Sequence, residues 1–180
     1  RIEDVMKVKS SMKFGNETEG KNKEIAVEFK DVSLMYAGSS ENTIEGLNLK
    51  VLKGQTIGII GGTGSGKTSL INMIPRFYDA TNGEVLVNGT NVKEYTEEGL
   101  RNKIGIVPQK AVLFKGTIRS NLLWGNESAT ENDLMEALKQ AQSYDFVMQK
   151  ENGIDSVVEQ NGRNFSGGQR QRLTIARALV

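Results

Sequence analysis

Apolar and polar side chains alternate along the first half of the chain. The alternation runs from Ile25 to Phe29 and resumes from Val32 to Tyr36 after a change of phase. A period of two is typical of a half-buried β-strand. A second alternating segment runs from Ile44 to Val51, and Glu84–Val87 followed by Asn88-Gly89 predicts another strand and a tight turn. This half of the chain is therefore predicted to be rich in strands.

Two shorter segments are almost continuously apolar. Thr56 to Ile60 follows the Lys53-Gly54-Gln55 turn, and Ile104 to Val107 ends at Pro108. Continuous apolar runs of this length are typical of strands that are buried on both faces of a sheet. We therefore predict that both segments are short central strands.

The second half of the chain carries helix signals instead. Thr130 followed by Asp133 resembles a capping box, and the apolar residues after it fall on one helical stripe: Leu134, Leu138 and Ala141. Ser166 followed by Gln169 fits the capping box directly and predicts a helix that continues to Val180.

Composition limits the chemistry that the chain can perform. Its 180 residues are enough for about one domain, and it contains no cysteine and no histidine. Disulfides, zinc fingers and Ser-His-Asp catalysis are thereby excluded. The 23 basic and 22 acidic residues leave a net charge of +1, which argues against a nucleic-acid partner. No apolar run approaches the ~20 residues of a membrane span.

One glycine-rich segment has a specific pattern. Gly61-Gly62-Thr63-Gly64-Ser65-Gly66-Lys67-Thr68 matches G-x-x-x-x-G-K-[ST] between a predicted strand and a helix that begins near Ser69. Backbone N–H groups of such a loop converge on phosphate oxygens. Lys67 would neutralise the β and γ phosphates, and the Thr68 hydroxyl would hold Mg²⁺.

Three further features allow two interpretations each. Tyr36 either stacks on an adenine ring or simply completes a strand. Gln109 either reaches Mg²⁺ and the attacking water or caps a strand end. Ser166, Gly167 and Gly168 form either an anion site at a helix start or an ordinary junction.

A phosphate loop followed about 100 residues later by Ser-Gly-Gly-Gln resembles the ATP-binding cassette (ABC) family from Glu24 to Val180. The resemblance implies an α/β fold: a P-loop NTPase of the ABC type, with a RecA-like core, an antiparallel β subdomain and an α-helical subdomain. It implies a linker at residues 1–23, the β subdomain and phosphate-loop part of the core at 24–110, and the Q-loop connection, helical subdomain and signature helix at 111–180.

The same resemblance implies roles for individual residues. Tyr36 would stack on adenine, Lys67 and Gln109 would have catalytic roles, and Thr68 and Gln109 would bind Mg²⁺. The nucleotide-binding set would be Tyr36, Gly61, Gly62, Thr63, Gly64, Ser65, Gly66, Lys67, Thr68, Ser69, Gln109, Ser166, Gly167, Gly168 and Gln169. The implied cofactors are ATP and Mg²⁺.

The subfamily and partners are also implied. Arg76-Phe77-Tyr78-Asp79 and Leu113 to Asn121 resemble exporters whose ATP-binding domain is fused to a membrane-spanning half. The implied partners are that half, upstream of residue 1, and a second nucleotide-binding domain facing head to tail, at the cytoplasmic side of a membrane. Two alternatives stay open: a regulatory half of a heterodimeric exporter that does not hydrolyse ATP, and a cytosolic ABC ATPase without a transport role.

The sequence departs from the family pattern in three places. Phe165 stands where the signature usually has Leu, and Gln160 stands where exporters usually have Glu. The Walker B aspartate, the catalytic glutamate and the switch histidine do not occur within the 180 residues. We therefore expect a segment of a longer chain, with its C-terminal part missing, that does not hydrolyse ATP unaided.

Overall fold

The computed structural model describes residue 10 and residues 12–180. It divides into two compact units, Arg1–Ile104 and Gly105–Val180. Residues 1–9 and residue 11 of the predicted linker lie outside the described residues.

The first unit is built on a four-stranded antiparallel sheet. Its strands are β1 (Ile25–Leu34), β2 (Ile44–Leu52), β3 (Asn82–Val87) and β4 (Thr90–Asn91), in the order β2-β1-β3-β4. The strands predicted within Ile25 to Tyr36, Ile44 to Val51 and Glu84 to Val87 are confirmed, and the first of them ends at Leu34. The change of phase in β1 corresponds to an irregular register near Asp31, whose φ is 47°. The predicted turn at Asn88-Gly89 is confirmed as well, with φ values of 48° and 75°.

Two short helices cover this sheet: α1 (Lys67–Met73) and α2 (Glu97–Arg101). The core combines one face of the sheet with residues of both helices and of the loop before α2. Its buried members are Phe29, Val32, Leu34, Leu70, Met73, Val85, Val87, Val92, Tyr95 and Leu100.

The segment before β1 lies against the first unit. Gly15 N–H donates to the Tyr95 carbonyl at 2.9 Å, and Thr96 N–H donates to the Glu17 carbonyl at 2.8 Å. A Cβ at Gly15 would lie 2.0 Å from the Glu94 carbonyl oxygen, so the two backbones pass too closely for any other residue. Part of the predicted linker is therefore hydrogen-bonded to the loop around residue 95.

The two predicted central strands are wrong. Neither Thr56–Ile60 nor Ile104–Val107 forms a strand, and the Ile60 side chain is 98% exposed. A strand exists only where a neighbour completes its hydrogen bonds. Among the described residues, no strand pairs with either segment. The apolar pattern identified segments suited to burial, but it does not show whether a neighbouring strand is present to pair with them.

The second unit is mainly helical. It contains α3 (Ile118–Leu123), α4 (Glu131–Gln140), α5 (Tyr144–Met148) and α6 (Gly167–Leu179), together with two-residue antiparallel strands β5 (Gly116–Thr117) and β6 (Val157–Val158). Both predicted capping boxes are confirmed, and the sequence analysis missed a third, between Thr117 and Ser120. No helix in the described part of the chain is both long and apolar enough to cross a bilayer.

A buried arginine holds the turn that follows α1. Arg76 is 3% exposed, and its Nε and Nη2 donate to the Asp79 carboxylate at 2.7 and 3.0 Å. Its Nη1 donates to the Lys13 carbonyl at 2.9 Å, and the guanidinium lies 4.7 Å from the centre of the Phe14 ring. These hydrogen bonds from Arg76 lower the pKa of Asp79.

We expect Asp79→Asn to lower the free energy of unfolding by about 1 to 3 kcal/mol at pH 7, because it leaves a buried cation without its carboxylate. The folded-state pKa of Asp79 lies below its unfolded value, so this stabilisation is present above about pH 4 and is lost as the pH falls through the folded-state pKa. Urea unfolding at pH 7 and at pH 3 measures both effects. Glu97→Gln, which removes an exposed pair with Arg101, is the control and should change little. Equal losses for the two variants would contradict the prediction.

Candidate functional site

The glycine-rich loop lies between the exposed segment that ends at Ile60 and the start of α1. Its residues Gly64 and Gly66 have φ values of 84° and 80°, in the left-handed region that favours glycine. A Cβ at Gly66 would also lie 2.9 Å from the Thr43 carbonyl oxygen. The sharp turn into α1 therefore depends on glycine at this position.

The lysine of the motif folds back over its own loop. Lys67 Nζ donates to the carbonyl oxygens of Gly61 and Gly62 at 2.7 and 2.6 Å, and to Ser65 Oγ at 3.2 Å. The loop residues from Gly61 to Ser65 are exposed, and so is Thr68 in the first turn of α1. Among the described residues the ammonium group has only neutral acceptors, which an arriving anion can replace. This donor set, with an accessible hydroxyl beside it, fits a phosphate chain and a bound Mg²⁺ ion.

Tyr36 is brought to the same helix. Its hydroxyl donates to Ser69 Oγ at 2.7 Å, and Ser69 is buried in α1 two residues after Lys67. A second aromatic ring, that of Tyr78, lies 5.1 Å from the Tyr36 ring at an interplanar angle of 88°. The sequence analysis did not include Tyr78 among the site residues, and only its place in the Arg76 to Asp79 motif could have drawn attention to it.

The remaining predicted site residues belong to the second unit. Gln109 is exposed in a bend after Pro108. Ser166 caps α6: its Oγ accepts from Gln169 N–H at 3.2 Å, while its own N–H donates to Gln169 Oε1 at 3.0 Å. In the described residues no acceptor receives the Ser166 hydroxyl proton, so this serine can cap the helix and still donate to a ligand.

The two glycines of the signature lie on an open surface. Gly167 and Gly168 are exposed, and a Cβ at either would have nothing within 4 Å. Phe165, by contrast, is 4% exposed and packs into the core of the second unit, as expected for an apolar residue at this position. Arg170 Nη1 donates to the Phe165 carbonyl at 2.8 Å and to the Gly162 carbonyl at 3.3 Å. The loop before α6 is therefore fixed, and the start of the helix is presented to solvent.

We expect Ser166→Ala to destabilise the protein by about 1 kcal/mol, because α6 loses its N-cap. Thr130→Ala, which removes the same kind of cap from α4, is the matched variant and should cost about the same. Thermal unfolding of the two variants and the wild type measures this. A Ser166→Ala variant that unfolds at the wild-type temperature would show that the cap does not contribute.

Two features define a nucleotide-binding protein of the P-loop class. One is the phosphate loop that Lys67 closes, and the other is the glycine-rich start of α6 with its Ser166 cap. Comparison with protein families is consistent with this: the model of the ABC transporter family matches residues 44–180. The chain belongs to the ABC transporter family. Its fold is the mixed α/β fold of an ABC nucleotide-binding domain with an antiparallel sheet.

Relatives in two organisms resemble most of the chain. A Staphylococcus aureus protein whose name describes a multidrug export ATP-binding/permease protein is 41% identical over 154 residues, which is 86% of this chain and 27% of that protein. The ABC transporter B family member 3 of Dictyostelium discoideum is 43% identical over 155 residues, 86% of this chain and 11% of that protein. The chain thus spans about a quarter of the first relative and a smaller part of the second.

A solved structure is similar over nearly the whole chain. It is that of a bacterial Atm1-family ABC exporter with ATP bound, with a TM-score of 0.88 and 30% identity. The similarity covers 98% of this chain and 31% of that one. The resemblance to exporter-type ABC domains found in the sequence is therefore confirmed.

Proposed function

We propose that the chain is the ATP-binding domain of an ABC exporter and that ATP binding, dimerisation and hydrolysis by the whole exporter drive transport across a membrane. The carrying observation is the phosphate loop, in which Lys67 Nζ donates to the Gly61 and Gly62 carbonyls. The names of the relatives, which join an ATP-binding part to a permease or describe an exporter, support the exporter class over the regulatory and non-transport alternatives.

Within this proposal the loop from Gly61 to Ser69 binds the triphosphate. The loop N–H groups would donate hydrogen bonds to the phosphate oxygens, and Lys67 would exchange its carbonyl partners for the β and γ phosphates. Thr68 and Gln109 would hold Mg²⁺, and the bound ion would neutralise part of the phosphate charge. Tyr36 would stack on the adenine ring.

The second glycine cluster serves a partner's nucleotide in this proposal. Ser166, Gly167, Gly168 and Gln169 would face the γ-phosphate bound by a second domain arranged head to tail. The open surface at both glycines and the unused Ser166 proton support this role. Because these contacts need the γ-phosphate, the dimer would be stable with ATP and weaker after hydrolysis.

A membrane-spanning half completes the proposed protein. We propose that residues 1–23 connect to it, that residues 24–110 form the β subdomain and phosphate-loop part, and that residues 111–180 form the Q-loop connection and helical part. The domain would then lie at the cytoplasmic face of a membrane. The fused ATP-binding and permease parts in the relative's name support this arrangement.

Lys67→Ala tests the nucleotide site. We expect about a 10- to 100-fold loss of affinity for Mg-ATP, because one charge-assisted interaction with the phosphates is removed. Calorimetric titration with a non-hydrolysable ATP analogue measures it. Lys53→Ala, in the exposed turn after β2, is the control for loss of a positive charge. Unchanged affinity in Lys67→Ala would rule out the proposed site.

A second test concerns turnover by these 180 residues alone. We propose that they bind ATP without hydrolysing it, since we assign neither the general base nor the aspartate ligand of Mg²⁺ to any of them. Phosphate release by the purified polypeptide should equal the background of its Lys67→Ala variant. Phosphate release that Lys67→Ala abolishes would contradict this assignment.

A further inference from the structure

We infer that Tyr78 is a positioning residue for base recognition, which holds the ring of Tyr36 ready to stack on the nucleobase. The inference rests on the proposed function, because it assumes that Tyr36 is the base-stacking residue. It adds a residue that is absent from the nucleotide-binding set inferred from the sequence, together with a physical reason for its presence.

The Tyr36 ring is restrained at two points. Its hydroxyl, at the tip of the side chain, donates to Ser69 Oγ at 2.7 Å. Its ring meets the Tyr78 ring at 5.1 Å and 88°, a geometry in which the positive edge of one ring faces the negative face of the other. The hydrogen bond fixes the tip, and the perpendicular ring limits rotation of the side chain about its axis. Together they define one orientation.

Tyr78 can restrain another ring because its own backbone is fixed. α1 ends just before Pro75, and Arg76 adopts a left-handed φ of 59° that turns the chain. Arg76 and Asp79 lie before and after Tyr78 in the sequence and form a bidentate pair with each other. The same guanidinium is anchored to the Lys13 carbonyl. The turn that carries Tyr78 is therefore attached to the body of the first unit.

A ring held in place before the nucleotide arrives raises affinity for it. If only a fraction of the protein has Tyr36 in the stacking orientation, the apparent dissociation constant rises in inverse proportion to that fraction. An edge-to-face aromatic pair of ordinary strength changes such a population by about 2- to 10-fold. The effect concerns ligands that carry a base, because Tyr78→Leu leaves the hydrogen bond from Tyr36 to Ser69 at the start of α1 in place.

This selectivity separates positioning from a merely structural role. A residue that only stabilised the first unit would, when removed, weaken binding of every ligand or none. A residue that positions Tyr36 would weaken binding of ATP and leave binding of inorganic tripolyphosphate unchanged. Comparison of these two ligands therefore gives a readout that stability does not alter.

The experiment titrates the protein and four variants with Mg-ATP and with Mg-tripolyphosphate. Tyr78→Leu removes the aromatic ring, and Tyr78→Phe keeps it without the hydroxyl. Phe77→Leu is the matched control, since Phe77 is a similarly exposed aromatic of the same turn that contacts Arg101. Tyr36→Ala removes the stacking ring itself and tests the proposed function.

We expect Tyr78→Leu to lose about 2- to 10-fold in ATP affinity with tripolyphosphate affinity unchanged, and Tyr78→Phe and Phe77→Leu to bind both ligands as the wild type does. If Tyr78→Leu binds ATP like the wild type while Tyr36→Ala binds it weakly, the positioning role is wrong and the proposed function stands. If Tyr78→Leu weakens both ligands alike, its role is structural and the inference is also wrong. If Tyr36→Ala leaves ATP affinity unchanged, the assumed role of Tyr36 fails and the inference fails with it.

Discussion

Every backbone carbonyl and N–H group that leaves water needs a partner, and this requirement organises the structure. In the first unit the antiparallel sheet meets it by strand pairing. In the loops, cationic side chains also donate to backbone carbonyls, both in the exposed phosphate loop and at the buried Arg76. Lys67 binds the carbonyls of the phosphate loop, Arg76 binds that of Lys13, and Arg170 binds those of Phe165 and Gly162. Segments that lack regular structure are thus held by a few charged residues.

These cations differ in how easily their contacts can be exchanged. Arg76 is buried and paired with a carboxylate, so its contacts are costly to break. In the part of the chain that the structure describes, Lys67 has neutral acceptors on an exposed loop, and phosphate oxygens are stronger acceptors than carbonyls for an ammonium group. The chain therefore combines an ion pair after α1 that is costly to break with lysine contacts to the loop before α1 that a phosphate can replace. The placement of the two around one short helix is suited to a ligand that must bind and leave.

Sequence analysis was most successful where the determining interactions are local. The alternation in β1, the turn at Asn88-Gly89 and the capping box at Ser166 depend on residues within a few positions of one another, and all were predicted. Burial of Thr56–Ile60 depends on a neighbouring strand, which an apolar pattern cannot identify. The contact of Tyr36 with Tyr78 joins residues on different elements, so neither propensity nor spacing indicates it.

The hydrogen bond between Tyr36 and Ser69 connects the two parts of the proposed site, which are the base-stacking ring and the triphosphate-binding loop. Ser69 lies in the first turn of α1, and the orientation of this turn is fixed by Gly66 and by burial of Leu70 and Met73. A hydrogen bond from the Tyr36 hydroxyl therefore aligns the end of β1 with the helix that follows the phosphate loop. The ribose limits how far the base can lie from the triphosphate, so a site that recognises both must keep its two parts within that span. A short helix linked by its side chains to the sheet provides that distance more reliably than a flexible loop could.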